Sequence, residues 1–167
     1  MTTTYLIRVG EITLKGGNRS YFEKRLMKNV RRRLRCSTSR QHGRFFVEVD
    51  GHDESYAESV LESTFGIVGF ARVIGAEKTY PAIVDASETI VREHFDAAGG
   101  GVSGTFKIAA RRSDKSFELS SQDIADKLGD ELRNRFPDLS VDVHDPDLII
   151  HIEIRNKAFV FGNGRPG

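Results

Sequence analysis

The chain has 167 residues, of which 38% are hydrophobic and 29% charged, and its formal net charge is +1. This composition supports a packed core and excludes a wholly disordered chain. No run of about 18 apolar residues occurs, which excludes a predicted transmembrane helix, and residues 1–8 lack the pattern of a secretory signal peptide. The single cysteine, Cys36, excludes an internal disulfide and a cysteine-based zinc site. We therefore expect a cytoplasmic protein with no membrane partner.

The small net charge conceals an uneven distribution. Residues 1–50 contain 12 Lys and Arg against 4 Asp and Glu, a net charge of +8, whereas residues 51–105 have a net charge of −6 and residues 106–167 one of −1. A basic front part on a nearly neutral chain indicates one cationic face, and nucleic acid is the first partner that it suggests. On charge alone an acidic membrane surface is the second, although we expect no membrane partner, and a well-solvated helix is the alternative that needs no partner.

The first half of the chain predicts six elements in the order βαββαβ. Ser20 and Glu23 have the spacing of a capping box, which predicts the start of the first helix. Asp53 is placed to cap the second helix and Gly66 to end it. Apolar residues at every fourth position give the first helix one buried face; they are Phe22, Leu26, Val30 and Leu34. The predicted strands cover residues 4–9, 34–40, 44–49 and 67–76, with a tight turn at 41–43. This order is the ferredoxin-like pattern.

The second half predicts a helix, a strand, a second helix and three strands. Pro81 opens a helix that runs to about residue 97, a flexible linker follows, and a strand at 105–110 leads into a polar loop at 111–119. Ser120 or Ser121 caps the next helix and Pro137 ends it. The apolar residues of that helix again recur at every fourth position; they are Ile124, Leu128, Leu132 and Phe136. A brief strand at 140–143 precedes a hairpin of 148–154 and 157–161. The fold class is therefore α+β, with a ferredoxin-like domain followed by a second α/β domain.

Two motifs lack the setting that their chemistry needs. Gly99, Gly101 and Gly104 match the glycine pattern of a dinucleotide site, but a helix precedes them and a strand follows, which is the reverse of that site. Histidines and acids near residue 150 lack the spacing of zinc sites; they are His144, Asp145, Asp147, His151 and Glu153. No nucleophile motif or P-loop occurs. We expect turns and a solvated sheet face here, with no metal, cofactor or catalytic residue; a metal enzyme using this cluster is the alternative.

Two basic segments are candidate RNA-binding sites. The first surrounds Lys15 and Arg19, where glycines let backbone N–H groups approach a phosphate, and it leads into a basic helix. The second, at 107–117, combines cations for phosphates, hydroxyls for sugars and a ring for stacking on a base. The candidate RNA-binding residues are Lys15, Arg19, Lys24, Lys28, Arg31, Lys107, Arg111, Arg112, Lys115, Ser116 and Phe117. For the second segment, the residues alone favour an ordinary charged loop equally.

Several segments, in order, resemble the tRNA 4-thiouridine synthases. The start of these enzymes is similar to residues 10–19 (GEITLKGGNR) and 22–26 (FEKRL). The entry to the last strand of their ferredoxin-like domain is similar to residues 65–70 (FGIVGF), and their THUMP domain to residues 106–117 (FKIAARRSDKSF). The THUMP resemblance continues through Ser121, Ile124, Leu128, Gly129, and residues 141–143, 146–147 and 152–154. It covers nearly the whole chain.

This resemblance implies a domain division and a function. It predicts a ferredoxin-like domain at 1–78, a THUMP domain at 79–162 and a Gly/Pro-rich start of a linker at 163–167. In that family the two domains grip tRNA, the THUMP domain holds the acceptor stem near the 3′ CCA end, and uridine 8 is thiolated. The positions that match those facing the RNA end are Lys107, Arg111, Arg112, Lys115 and Ser116. Lys15 and Arg19 match positions that could support the stem.

The chemistry of that family belongs to an ATP-pyrophosphatase domain, which this chain lacks. That domain has an SGGxDS loop, some members add a rhodanese-like domain with a sulfur-carrying cysteine, and the family also supplies sulfur for thiamine synthesis. We therefore expect no catalysis by this chain alone, with ATP and Mg²⁺ needed only in the absent domain. The expected partners are the tRNA acceptor end, a catalytic pyrophosphatase domain, a sulfur donor protein and a second copy in a homodimer.

Two other functions remain open from the sequence. A stand-alone THUMP adaptor would bind tRNA on behalf of another modification enzyme, and a pulldown of partners would identify that enzyme. A ferredoxin-like domain that binds a protein or a regulatory ligand would show no affinity for RNA and little dependence on salt.

Overall fold

A computed structural model describes residues 2–10, 17–34, 36–41, 44–50, 54–96, 99 and 101–166 of the chain. The chain forms two compact units, the first from Met1–Val73 with Gly164–Gly167 and the second from Ile74–Asn163. Within the described ranges, no helix is long and apolar enough to span a membrane.

The first unit has the predicted βαββαβ order. Its elements are β1 (Thr2–Val9), α1 (Gly17–Arg33), β2 (Cys36–Gln41), β3 (Arg44–Asp50), α2 (Glu54–Ser63) and β4 (Ile67–Ala76), of which β4 belongs to this unit as far as Val73. The strands pair antiparallel in the order β2-β3-β1-β4. Element order and sheet are those of a ferredoxin-like fold, as predicted.

The core of the first unit lies on one face of its sheet. Successive strand residues point to opposite faces, so Tyr5 and Ile7 of β1 pack in the same apolar cluster as residues of α1 and α2. The one-in-four pattern predicted for α1 is confirmed, because Leu26, Val30 and Leu34 are each at most 3% exposed. This face fixes the rotation of α1 and directs its basic residues away from the core.

The start of α1 differs from the prediction. The helix begins at Gly17, so Ser20 lies inside its first turn and the predicted capping box is wrong. Glu23 is instead buried, with its Oε2 3.3 Å from Nη1 of Arg40 on β2. At the other end the N–H of Leu34 donates to the carbonyl of Val30, which places Leu34 on the end of the helix rather than in a strand. The predicted cap Asp53 and the turn residues 42–43 lie outside the described residues.

The second unit contains two helices and a mixed sheet. Its elements are α3 (Tyr80–Phe95), β5 (Gly104–Arg112), α4 (Ser121–Arg135), β6 (Leu139–Val141), β7 (Leu148–Ile154) and β8 (Ala158–Phe161), with residues 74–76 of β4 paired to β8. β5 is parallel to both β6 and β7, and β7 with β8 forms the predicted antiparallel hairpin. β5 extends through Arg112, two residues beyond the predicted strand, because the ladder to β7 continues to Ile154.

Local signals fix both helices of the second unit. Thr79 caps α3, since its Oγ1 accepts from the N–H of Ala82, and Ser120 caps α4 by accepting from the N–H of Asp123. Each such cap contributes about 1 kcal/mol. The predicted apolar face of α4 is confirmed, because Ile124, Leu128 and Leu132 are fully buried and Phe136 nearly so. The helices and strands share one apolar cluster.

A short strand, β9 (Arg165–Pro166), belongs to the first unit. It pairs antiparallel with Gly69 and Phe70 on the edge of β4. Gly164 precedes it with φ +80°, and a Cβ at this position would lie 2.4 Å from the carbonyl oxygen of Phe70, so the turn requires glycine. Part of the segment predicted as the start of a linker is thus a strand, while the predicted domain limits stay a prediction.

Candidate nucleic-acid interface

Three of the predicted RNA-binding residues form one stripe on α1. Lys24, Lys28 and Arg31 are spaced at four and then three residues, which places them on one side of the helix, and all three are exposed. We call these residues the α1 stripe. Within the part of the chain that the structure describes, no carboxylate pairs with Lys24 or Lys28. Their charges are therefore available to an anionic partner.

Other cations of α1 bind within the first unit. Arg33 donates from Nη1 to Oγ1 of Thr64 at 3.2 Å and from Nη2 to Oγ of Ser63 at 3.1 Å, which ties the end of α1 to the end of α2. Arg25 donates to the hydroxyl of Tyr21 at 3.4 Å. The sequence does not distinguish Arg33 from the stripe, because the partners of Arg33 lie about 30 residues further along the chain.

Lys15 and Arg19 are the two remaining predicted residues of this segment. Lys15 lies outside the described residues. Arg19 lies in the first turn of α1, and only its backbone is described. Their predicted contacts with the stem of an RNA stay predictions.

In the second unit, strand alternation separates Arg111 from Arg112. Phe106 is buried in the core, and Ile108 and Ala110 pack against it, so Lys107 and Arg111 point to the opposite face of the sheet. Arg111 is exposed and Lys107 half-buried. The sequence predicts a loop from residue 111, which leaves the two arginines equivalent; the strand period, continued two residues further, is the signal that distinguishes them.

Arg112 organises the loop at 113–119. Its Nη1 lies 3.3 Å from the carbonyl oxygen of Lys115, 3.1 Å from that of Phe117 and 3.3 Å from that of Leu119. One guanidinium nitrogen thus gathers three carbonyls of one loop. The geometry makes Arg112 a positioning residue for this loop.

Asp114 is a second organising residue of the same loop. Its Oδ2 lies 2.5 Å from Nζ of Lys78, and its Oδ1 accepts from the backbone N–H of Ser116 at 3.0 Å and from the Ser116 hydroxyl. The hydrogen bond from Lys78, followed by those from Ser116, lowers the pKa of Asp114 to about 2. The hydroxyl of Ser116 is thus engaged within the loop, whereas Lys115 is exposed at its tip.

Phe117 lies in the core of the second unit. Its side chain is 8% exposed and belongs to the apolar cluster of α3, α4 and the sheet. The stacking role needs an exposed ring, so in this conformation the ring anchors the loop instead. The loop is attached at its other end by Ser113, whose N–H and hydroxyl both donate to the carbonyl of Ile154.

The histidines and acids near residue 150 serve the local structure. The carboxylate of Asp142 accepts from the backbone N–H groups of Asp145 and His144, which lowers its pKa. Asp147 bonds Thr105 at the start of β5, and His151 stacks on Phe161 with ring centroids 4.7 Å apart. Among the described residues, no group of three or more His, Cys, Asp or Glu could hold a metal ion.

The glycine motif and the cysteine lie in structural settings. Gly99 and Gly101 have positive φ, and Gly104 begins β5, so the motif follows a helix and precedes a strand, as predicted. Cys36 packs against the core of the first unit, and burial raises the pKa of its thiol, with the charge of Arg31 acting in the opposite direction. A protonated, partly buried thiol is a packing residue at neutral pH.

Both units match known domains. The THUMP domain model matches residues 77–162 and the ThiI ferredoxin-like domain model matches residues 4–71. A relative named "Probable tRNA sulfurtransferase" from Thermoanaerobacter pseudethanolicus is 34% identical over 165 residues, which cover 96% of this chain and 41% of the relative. Its namesake from Moorella thermoacetica is 38% identical over 172 residues, covering 100% and 42%. The crystal structure of a 4-thiouridine synthetase–RNA complex with bound ATP matches with a TM-score of 0.79 and 29% identity, over 98% of this chain and 41% of that one.

The chain therefore belongs to the THUMP-domain family. Its combination of a ThiI ferredoxin-like domain and a THUMP domain confirms the resemblance to the tRNA 4-thiouridine synthases. The chain spans about two fifths of the length of the curated relatives that it matches.

Proposed function

We propose that this chain is the tRNA-binding part of an ATP-dependent tRNA sulfurtransferase. The observation that carries the proposal is the match, over nearly the whole chain, to a 4-thiouridine synthetase crystallised with RNA. In the proposed reaction the two units bind the acceptor stem and the 3′ CCA end, and present uridine 8 for conversion to 4-thiouridine.

The α1 stripe provides the first contact in this proposal. Lys24, Lys28 and Arg31 lie along the helix at a spacing of one turn, so one side of α1 offers a row of charges to a phosphate backbone. Cations that neutralise phosphates release counterions, which makes binding fall steeply with salt. Such contacts position the RNA without reading its sequence, in keeping with recognition of a stem by shape.

The second unit provides the contact with the RNA end. Lys107 and Arg111 share the sheet face opposite α3 and α4, and Lys115 is exposed at the tip of the loop at 113–119. Arg112 and Asp114 support these contacts indirectly, because their hydrogen bonds fix the course of the loop before RNA arrives. A loop that is already ordered loses less conformational entropy on binding.

Catalysis belongs, in this proposal, to a pyrophosphatase domain outside the chain. ATP and Mg²⁺ would bind there, and a sulfur donor protein would supply the sulfur. The chain alone should bind tRNA without converting it, and 4-thiouridine formed by the pure chain with ATP and a sulfur source would contradict this division of labour.

A titration with two tRNA preparations tests the proposal. The pure chain is titrated with intact tRNA and with tRNA lacking the 3′ CCA, each at about 50 and 200 mM salt, where phosphate contacts separate strongly. We expect binding that weakens at the higher salt and weakens again when CCA is removed. Equal affinity for both preparations would overturn recognition of the RNA end, and no binding at low salt would overturn the proposal as a whole.

A further inference from the structure

The proposed function assigns no ligand to a cleft beside the α1 stripe. It lies in the first unit between α1 and the strands β2 and β3, with a volume of about 280 Å³. Small-molecule sites begin at roughly 300 Å³, so the cleft accommodates a single small unit rather than a helix of RNA. Its lining includes Glu23, Lys24 and Arg31 from α1, Thr38 and Arg40 from β2, and Phe45 from β3.

The guanidinium of Arg40 is the fixed flat surface of this cleft. One of its terminal nitrogens lies 3.3 Å from the carboxylate of Glu23, whose side chain is 7% exposed, and its Cζ lies 5.2 Å from the ring centroid of Phe45. The Arg40 side chain is nevertheless 57% exposed. It is therefore restrained from inside the protein and still accessible from the solvent. Flat, restrained guanidinium groups are surfaces on which unstacked RNA bases stack.

The rim of the cleft is cationic and polar. Lys24 and Arg31 belong to the α1 stripe and also line the cleft, and Arg31 donates from Nη1 to Oγ1 of Thr38 at 2.5 Å. This contact ties α1 to β2 and fixes one side of the Arg31 guanidinium. Among the described residues no partner engages its second terminal nitrogen, which leaves a charge-assisted donor for a phosphate.

We propose that this cleft binds one unstacked nucleotide, with its base on Arg40 and its phosphate between Lys24 and Arg31. The inference rests on the proposed function, because an RNA held along the α1 stripe would supply that nucleotide. It adds a site that holds a single nucleotide whose base is unstacked from the rest of the RNA. Stacking on Arg40 does not by itself select one base, because every base has a flat face.

Free nucleotides test the cleft directly. The 167-residue chain is titrated with CMP, AMP, cytidine and inorganic phosphate, and the amide signals of residues 38–40 and 45 are followed by NMR. We expect CMP and AMP to shift these signals with similar affinities, and cytidine or phosphate alone to bind at least about 5-fold more weakly. Phosphate binding as tightly as CMP would reduce the cleft to an anion site and overturn the proposal.

Arg40→Lys is the decisive variant because it keeps the charge and removes the flat surface. We expect it to weaken CMP binding at least about 5-fold, and Phe45→Leu to weaken it as well, because the guanidinium loses its support. Arg133→Ala, an exposed arginine on α4, is the control and should leave CMP binding unchanged. Unchanged CMP binding in Arg40→Lys would overturn the proposal whatever Phe45→Leu does.

A parallel titration with tRNA separates this inference from the proposed function. If the wild-type chain binds tRNA but not CMP, only the nucleotide cleft is refuted. If it binds neither, both proposals fall. If Arg40→Lys loses affinity for CMP and for tRNA while the salt dependence of tRNA binding is kept, the cleft contributes to tRNA binding through its flat surface rather than through its charge.

Discussion

The α1 stripe and the segment at 107–117 are both rich in cations, but the fold uses these cations differently. Both contain closely spaced cations, yet Lys24 and Lys28 have no carboxylate partner among the described residues, whereas Arg112, Asp114 and Ser116 of the second segment bind within the loop or to Lys78. In the stripe the fold leaves charge for a partner. In the segment at 107–117 most polar groups shape the loop backbone, and among the described residues no carboxylate pairs with Lys107, Arg111 or Lys115.

Phe117→Ala gives the largest expected effect and tests whether the aromatic residue of the loop is a core residue. Removing a buried phenylalanine costs about 3–5 kcal/mol in the free energy of unfolding, which urea denaturation would measure. Phe117→Leu is the matched control, because it keeps most of the apolar volume, and it should cost less than about 1.5 kcal/mol. If Phe117→Ala weakened tRNA binding without loss of stability, the ring would be a stacking residue after all.

The variants Arg112→Ala and Arg111→Ala test the same comparison between two neighbouring residues at the end of β5. Arg112→Ala leaves the carbonyls of Lys115, Phe117 and Leu119 without a donor, so we expect a loss of about 1–3 kcal/mol in unfolding free energy. Arg111→Ala lies on the exposed face and should change stability by no more than about 0.5 kcal/mol, while tRNA affinity falls. Urea denaturation and a tRNA titration of both variants check this; the reverse assignment would show that the two arginines exchange roles.

Lys24→Glu combined with Lys28→Glu tests the stripe. We expect tRNA affinity to fall at least about 10-fold, which corresponds to 1.4 kcal/mol, and the slope of log K against log salt to become shallower by about 1 for each lost phosphate contact. Lys127→Glu makes the same kind of substitution at one exposed lysine on α4, which contacts the ring of Tyr80, and serves as the control for charge reversal outside the stripe. A salt slope equal to that of the wild type in the double variant would remove the stripe from the interface.

The smallest expected effect concerns the protonation of Asp114. Because the folded pKa is about 2, below the ordinary value of 3.8, the contribution of this carboxylate is fully present above about pH 4 and is lost as the pH falls through 2. Its carboxyl NMR signal should therefore titrate near pH 2. At neutral pH, Asp114→Asn should speed hydrogen exchange of the Ser116 amide. A midpoint near pH 4 would mean that Lys78 and Ser116 do not bind this carboxylate in solution.

Local patterns predicted the fold well, because the signals that define a helix or a strand lie within a few residues of one another. The four-residue spacing in α1 and α4, the cap at Ser120 and the β7–β8 hairpin were all readable in this way. The sequence did not predict which face of the sheet each residue at the end of β5 occupies, because that depends on how far the ladder to β7 continues. The capping box predicted at Ser20 and Glu23 was wrong, because α1 starts at Gly17, three residues before Ser20.

The candidate site was predicted less completely than the fold. Residue type identified Lys24, Lys28 and Arg31, which the structure leaves exposed. The internal roles of other residues depend on partners far along the chain: Lys78 reaches Asp114 across 36 residues, and Arg33 reaches Thr64 across 31. No local pattern reports such pairs. The sequence did not predict the cleft beside Arg40 for the same reason, because α1, β2 and β3 all contribute to its lining.

The strand β9 has a consequence for how the protein is made. The edge of β4 at Gly69 and Phe70 is paired by residues that follow the whole second unit in the chain. During synthesis the first unit therefore emerges from the ribosome with this backbone edge open. Exposed strand edges can pair with other chains. The edge closes only when Gly164 allows the chain to turn back against Phe70. A nascent chain stalled before that glycine would thus keep this edge open to other chains, although all six elements of its ferredoxin-like order had already been synthesised.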